Sequence, residues 1–231
     1  MGAVGAVGRR VLTTARIGAP HLARARRAHR RRRFIRRLKV SAIWVGAAVD
    51  VHVDPAADIS PSVSLEIWPG TRTTVVIGAG ATVGDNVRLS LRGGRLEVGE
   101  RTQIRRLSTF HIGGEIRIGR DTMLGVGSYV HCSEAVEVGD DTLVAEYSTL
   151  ADSDHLRTAP GVPVMHHVRT APVRIGDNVW VASHSVITRG TTICDQAVVA
   201  AGSVVTTDVP RGWLVAGAPG RLIRELDIDE T

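Results

Sequence analysis

Aliphatic residues return at every sixth position over most of this chain, a period that belongs neither to a helix nor to simple strand alternation. The series runs Ile77, Val83, Leu89; Val98, Ile104, Phe110; Ile118, Leu124, Val130; then Val138, Val144, Leu150. After a break it resumes at Ile175, Val181, Ile187, Ile193, Val199 and Val205. A small or β-branched residue stands four places after many of these, as at Ala81, Thr102, Thr122, Ser128, Thr142, Ser148, Ser185 and Ser203. Six residues make one short flat strand and one corner, and three such units close a triangular coil. Stacked coils bury a continuous core and touch only their neighbours.

The starts at Ile77, Val98, Ile118 and Val138 lie 20 or 21 residues apart. Three hexads make eighteen, so one corner of each coil takes two or three extra residues. An earlier coil begins near Ile59, with Leu65 its next inward residue, giving about seven coils between Val53 and Pro210. Composition agrees: the chain is 43% hydrophobic but only 3% aromatic, so Val, Ile, Leu and Ala must fill the core. The expected organisation is a basic segment over 1–40, a solenoid over 41–210 with an inserted loop at 156–172, and an extension over 211–231.

The repeat resembles that of the hexapeptide-repeat acyltransferases, and the resemblance covers roughly residues 53–225. It implies an all-β fold, a left-handed parallel β-helix. It also implies a homotrimer with its sites between subunits.

The break in the repeat is the natural place for function, because an inserted loop leaves the core intact. It opens with Ala151-Asp152-Ser153-Asp154-His155, continues through a stretch rich in Pro, Gly and His, and closes at Ile175-Gly176-Asp177-Asn178-Val179-Trp180. This region looks like that of the sugar O-acetyltransferases of the family, and the Asp-x-Asp-His string is closer to those that modify polysaccharides. In both groups a histidine at the start of the loop is the catalytic base, and His155 holds that place. Imidazole titrates near neutral pH and can take the proton of an attacking hydroxyl. Asp152 and Asp154 are the candidates to orient it, because residues 156–171 contain no Asp or Glu. Gly125 stands where the galactoside enzymes carry an acceptor-binding asparagine, which points away from a simple galactoside. His166 and His167 read as loop-lining residues.

The resemblance also assigns a donor site for acetyl-CoA or another short acyl-CoA. Trp180, Ala182 and Ser183 would flank the pantetheine, with Ala201 and Gly202 one coil on. Thr207 occupies a place where many relatives have lysine, and Arg221 or Arg224 would supply the missing phosphate contact. No metal is implied. The acceptor implied is a sugar, polysaccharide or lipid-linked glycan, and O- and N-acylation both fit the same histidine.

The net charge of +6 hides an asymmetry. Residues 1–40 hold thirteen Lys or Arg and no Asp or Glu, so the remaining sixteen basic residues face 23 acidic ones. A helix here would carry a weak apolar stripe of Phe34, Ile35 and Leu38. One reading is a helix lying on anionic lipid; the others are a solvated tail and, with no folded motif to support it, nucleic-acid binding. Met1–Gly8 is too short for a signal-peptide core, nothing apolar follows Arg9-Arg10, and no run approaches the ~20 apolar residues of a spanning helix. The expected location is cytoplasmic, peripheral at the inner face of the membrane if the helix binds there. Cys132 and Cys194 lack metal or disulfide spacing and read as reduced thiols. Two other functions stay open. One is a γ-type carbonic anhydrase, since His111, His131 and His155 recur near one side of the prism, although the paired histidines of that class are absent. The other is a non-catalytic scaffold.

Overall fold

A computed structural model describes residues 19–156 and 164–227. The Met1–Gly8 stretch and Arg9-Arg10 lie outside the described residues. The chain winds through seven triangular coils of parallel strands, as the repeat predicts, in the left-handed β-helix that the resemblance implies. Three ladders form its faces. The first runs from Ala48–Val53 to Thr192–Ile193, the second from Asp58–Ile59 to Val198–Val199, and the third from Ser64–Ile67 to Val204–Val205.

Each hexad has a physical role. Its aliphatic residue points inward, so Ile77, Ile104, Phe110, Leu124, Val144 and Val181 join one core. The residue four places on is buried at the corner, and at several of the Thr and Ser positions its hydroxyl bonds to the next coil. Thr122 Oγ1 donates to Gly139 O at 2.7 Å, Thr142 Oγ1 to Gly176 O at 2.8 Å, and Ser185 Oγ to Ala200 O at 3.1 Å. Between these two positions lies a residue in the left-handed conformation: Asp121, Asp141 and Asn178 between the first and second faces, Asn86, Tyr147 and His184 between the second and third. The extra residues of each coil gather at the edge between the third face and the next first face, as at Gly113-Gly114, and the inserted loop leaves from that same edge.

The basic segment is a helix, Ala19–Trp44, that runs past residue 40 and packs on the first strand of all three faces. It therefore lies across the open end of the prism. Phe34 and Leu38 are buried and Ile35 packs against the core, so the stripe read as lipid-facing is turned inward, where it closes the end of the hydrophobic column. Arg30 reaches Asp58 at 3.2 Å and Arg37 donates to Pro61 O at 3.2 Å. Gly46, at φ 65°, ends the helix in a conformation that costs glycine nothing.

At the other end the solenoid does not stop at Pro210. Trp213–Ala216 pairs in parallel with Val198–Val199, and Arg221–Glu225 returns antiparallel beside it, so both strands extend the second face. No helix among the described residues is long and apolar enough to cross a membrane.

The cap makes a simple prediction. Leu38→Ala leaves a cavity at the end of the core and should cost about 2–5 kcal/mol in denaturant unfolding. Ile43→Ala, on the exposed side of the same helix, should stay within about 0.5 kcal/mol. Equal effects would mean that the helix does not close the prism.

Candidate active site

The break in the repeat folds as a hairpin. Ser153–His155 pairs antiparallel with Val168–Thr170, placing Asp154 opposite Arg169 and His155 opposite Val168. The hairpin projects from the edge between the third and first faces, and residues 157–163 at its tip lie outside the described residues. His155 is exposed, and its Nδ1 lies 3.2 Å from the carbonyl oxygen of Val164. A carbonyl can only accept, so this hydrogen bond requires the proton on Nδ1. In the neutral ring this places the lone pair on Nε2, where it can act as a base.

The orienting group is thus a backbone carbonyl, and the two candidate aspartates bind elsewhere. Asp152 is fully buried and accepts from the Ser133 amide at 2.8 Å and the Glu134 amide at 2.6 Å. It pins the edge of the preceding coil beneath the hairpin. Asp154 meets Arg169 Nε at 3.0 Å and Arg189 Nε at 2.8 Å. The first pair spans the hairpin and the second ties it to the next coil. Hydrogen bonds from Arg169 and then Arg189 hold the Asp154 carboxyl below its usual range. A carboxyl with a lowered native pKa keeps its contribution above the unfolded value and loses it as pH falls through the native one. The clamp is therefore intact wherever a neutral histidine can act as a base. Nothing in the sequence pattern marked Val164, because any residue offers a carbonyl.

The donor candidates fall on different parts of the prism. Trp180 points outward from the second face, half exposed. Ala182, Ser183, Ala201 and Gly202 form the edge between the second and third faces, where Gly202 sits at φ 70°. Thr207 lies across the third face, on the edge that carries His155. Arg221 and Arg224 are exposed on the terminal strand of the second face, and the cross-strand register Trp180, Val198, Leu214, Arg224 puts Arg224 in line with the tryptophan. Gly125 is on the edge between the second and third faces; a Cβ there would come within 2.5 Å of the Glu146 amide, so the corner as folded has no room for an asparagine.

Two residues that the sequence reading passed over stand beside Ser183. Tyr147 and His184 occupy the left-handed corner position on successive coils, and their rings stack with centroids 5.3 Å apart. That conformation is uncommon for a residue as bulky as tyrosine. Glu146 accepts from Ser183 Oγ at 3.2 Å on the same edge. An aromatic at a hexad position where Gly or Asn is easiest was the available signal.

His111 and His131 do not join His155. Their rings stack at 5.3 Å on the outer third face, and His131 Nδ1 lies 3.3 Å from Tyr129 Oη. Burial holds both imidazoles below their usual pKa. Among the described residues no three His, Cys, Asp or Glu side chains converge as metal ligands. Burial pushes the Cys132 thiol up to about 12, which keeps it protonated. His167 is exposed, and the side chain of His166 lies outside the described residues.

Asp154→Asn separates clamp from relay. Loss of an exposed clamp should lower kcat/KM by less than about tenfold and leave the His155 limb of the pH profile in place. A limb displaced to lower pH would instead make Asp154 the partner of the imidazolium.

A family model described as the hexapeptide repeat of succinyl-transferase matches residues 115–145 and 172–207, on either side of the hairpin. The galactoside O-acetyltransferase of Escherichia coli (strain K12) is 41% identical over 92 residues, 34% of this chain and 45% of that protein. The chain thus spans less than half the length of the curated relatives it matches. Among solved structures, a hexapeptide-repeat containing acetyltransferase from Vibrio cholerae superposes with a TM-score of 0.52 at 28% identity, covering 57% of this chain and 74% of that one. A maltose O-acetyltransferase from Clostridium difficile 630 gives 0.50 at 27% identity, covering 57% and 70%. The solenoid of this chain is a hexapeptide-repeat β-helix, the fold it shares with these acetyltransferases.

Proposed function

We propose that this protein is an acyl-CoA-dependent acyltransferase that moves an acetyl or other short acyl group onto a hydroxyl of a sugar or glycan. The observation that carries the reading is the state of His155, held by the Val164 carbonyl with Nε2 free at the one break in the repeat. Nε2 takes the proton of the acceptor hydroxyl as its oxygen attacks the thioester carbonyl. The C–S bond then breaks, and the imidazolium returns the proton to the departing thiolate. No nucleophile from the protein is needed.

The donor lies on the edge of Ala182, Ser183, Ala201 and Gly202, where small residues let a thin pantetheine arm approach the backbone. Backbone amides there stabilise the oxyanion. Arg221 and Arg224 meet the phosphates. The acceptor is a polysaccharide or lipid-linked glycan rather than a simple galactoside, in keeping with the closed corner at Gly125. Such an acceptor places the enzyme at a membrane face.

The working unit is a homotrimer. His155 leaves one edge of the prism, whereas most donor residues lie on another edge or on the face opposite His155. One prism cannot bring the two sets together; adjoining prisms can. The third face, between those edges, suits the contact. From Thr109 onward its outward strand positions include His111, Tyr129, His131, Val186 and Val204, and none is charged. The first face instead carries ion pairs such as Arg95–Glu97 and Arg174–Glu137.

His155→Ala should lower kcat about 10²–10⁴-fold without changing the oligomeric state. The check is thiol release from acetyl-, propionyl- and succinyl-CoA against a panel of glycans. Full transfer by the variant would remove His155 from the chemistry. Tyr147→Asn, easier for the backbone, should raise the KM for acyl-CoA with kcat little changed, measured in the same assay.

A further inference from the structure

The helix that closes the prism keeps a second stripe pointing away from it. Leu22, Arg26, His29, Arg32, Arg33, Arg36, Lys39, Val40, Ile43 and Trp44 are all exposed, at a spacing that keeps them on one side of the helix. Because the helix touches the first strand of all three faces, this stripe faces outward along the solenoid axis. It spans ~33 Å. The helix has ten Lys or Arg and no acidic residue, and Arg30–Asp58 is its one ion pair among the described residues. The apolar residues at the C-terminal end are conspicuous: Trp44 is 83% exposed and Ile43 77%.

We infer that this end of the protein is a docking face for an anionic lipid bilayer, with Val40, Ile43 and Trp44 inserted at the headgroup level and the arginines on lipid phosphates. Charge complementarity selects the occupant. A second copy of the same stripe would be repelled, and a nucleic-acid backbone would leave the apolar end in water. Tryptophan beside isoleucine is what an interfacial helix presents to lipid. The stripe differs from the one legible in the sequence, since Phe34 and Leu38 are spent on the core. The helix lies on the membrane and does not cross it.

The geometry has a consequence for the acceptor, which rests on the acyltransferase reading. His155 follows the fifth strand of the third face, four coils from the first, or about 19 Å at the usual strand spacing. With the helix diameter added, it stands ~30 Å above the bilayer. A glycan anchored in the same membrane would be acylated well out along its chain.

The test is co-sedimentation of the full chain with vesicles of phosphatidylcholine and phosphatidylserine at about three to one, against phosphatidylcholine alone. Two variants are compared: Val40→Ser/Ile43→Ser/Trp44→Ser, and Arg32→Gln/Arg33→Gln/Arg36→Gln. The native chain should bind the mixed vesicles and be released by salt. The arginine variant should bind about a hundredfold more weakly, and the serine variant should also lose binding. Both should acylate a soluble glycan at the native rate. Equal binding by native chain and variants, or no preference for phosphatidylserine, would overturn the proposal. So would variants that change only duplex DNA binding or only oligomeric mass. Vesicle binding lost with soluble transfer intact in the native chain would refute docking alone; binding without transfer would refute the acyltransferase reading alone.

Discussion

Everything in this molecule depends on the parallel ladder between coils. A strand of two to six residues cannot stand alone, so each is held by the strands beside it in the ladder and by corner hydroxyls such as Thr122 and Thr142. The register tolerates no slip, because moving a strand by one residue would turn its inward apolar side chains, such as Leu96 and Val98, outward. Two liabilities follow. The column has an open end, which the helix closes with Phe34 and Leu38. The ladder also fixes every residue to one face or one edge, so no side chain can reach a site except from where the hexad puts it.

That rigidity explains how the candidate site is assembled. The hairpin of His155 grows from the edge where each coil already takes its extra residues, and it interrupts nothing in the core. Asp154 pairs with Arg169 and Arg189, which ties the hairpin to the scaffold. Asp152 fixes the coil beneath through the Ser133 and Glu134 amides. The imidazole is left to a backbone carbonyl, which sets the tautomer without adding a charge. Both carboxylates are thus engaged in holding the hairpin and the coil beneath it.

The hexads were legible because each places one side chain inside and one at a corner, and burial constrains both. Ile77, Val98 and Thr122 could hardly be other residue types. His155 was legible because it stands where that periodicity fails. Val164 was not, since its contribution comes from the main chain. The inward turn of Phe34 and Leu38 was hidden because a stripe says that a face is apolar and not what covers it. Tyr147 and His184 were missed because a hexad pattern records the inward residue and says little about the left-handed corner, where an aromatic is the exception. The strands Trp213–Ala216 and Arg221–Glu225 lack a clean hexad but still pair with the ladder.

In the trimer proposed above, His155 and the donor edge of one chain serve different sites, so that a complete site needs two copies. Mixed assemblies test it directly. His155→Ala chains are unfolded and refolded together, in equal amounts, with chains whose donor edge is blocked by Ala201→Trp, each inactive alone. In random trimers about a quarter of the sites pair an intact His155 with an intact neighbouring donor edge, so acyl transfer should return to about that fraction of the native rate. Mixtures as inactive as their components would place both halves of the site in one chain and contradict the account.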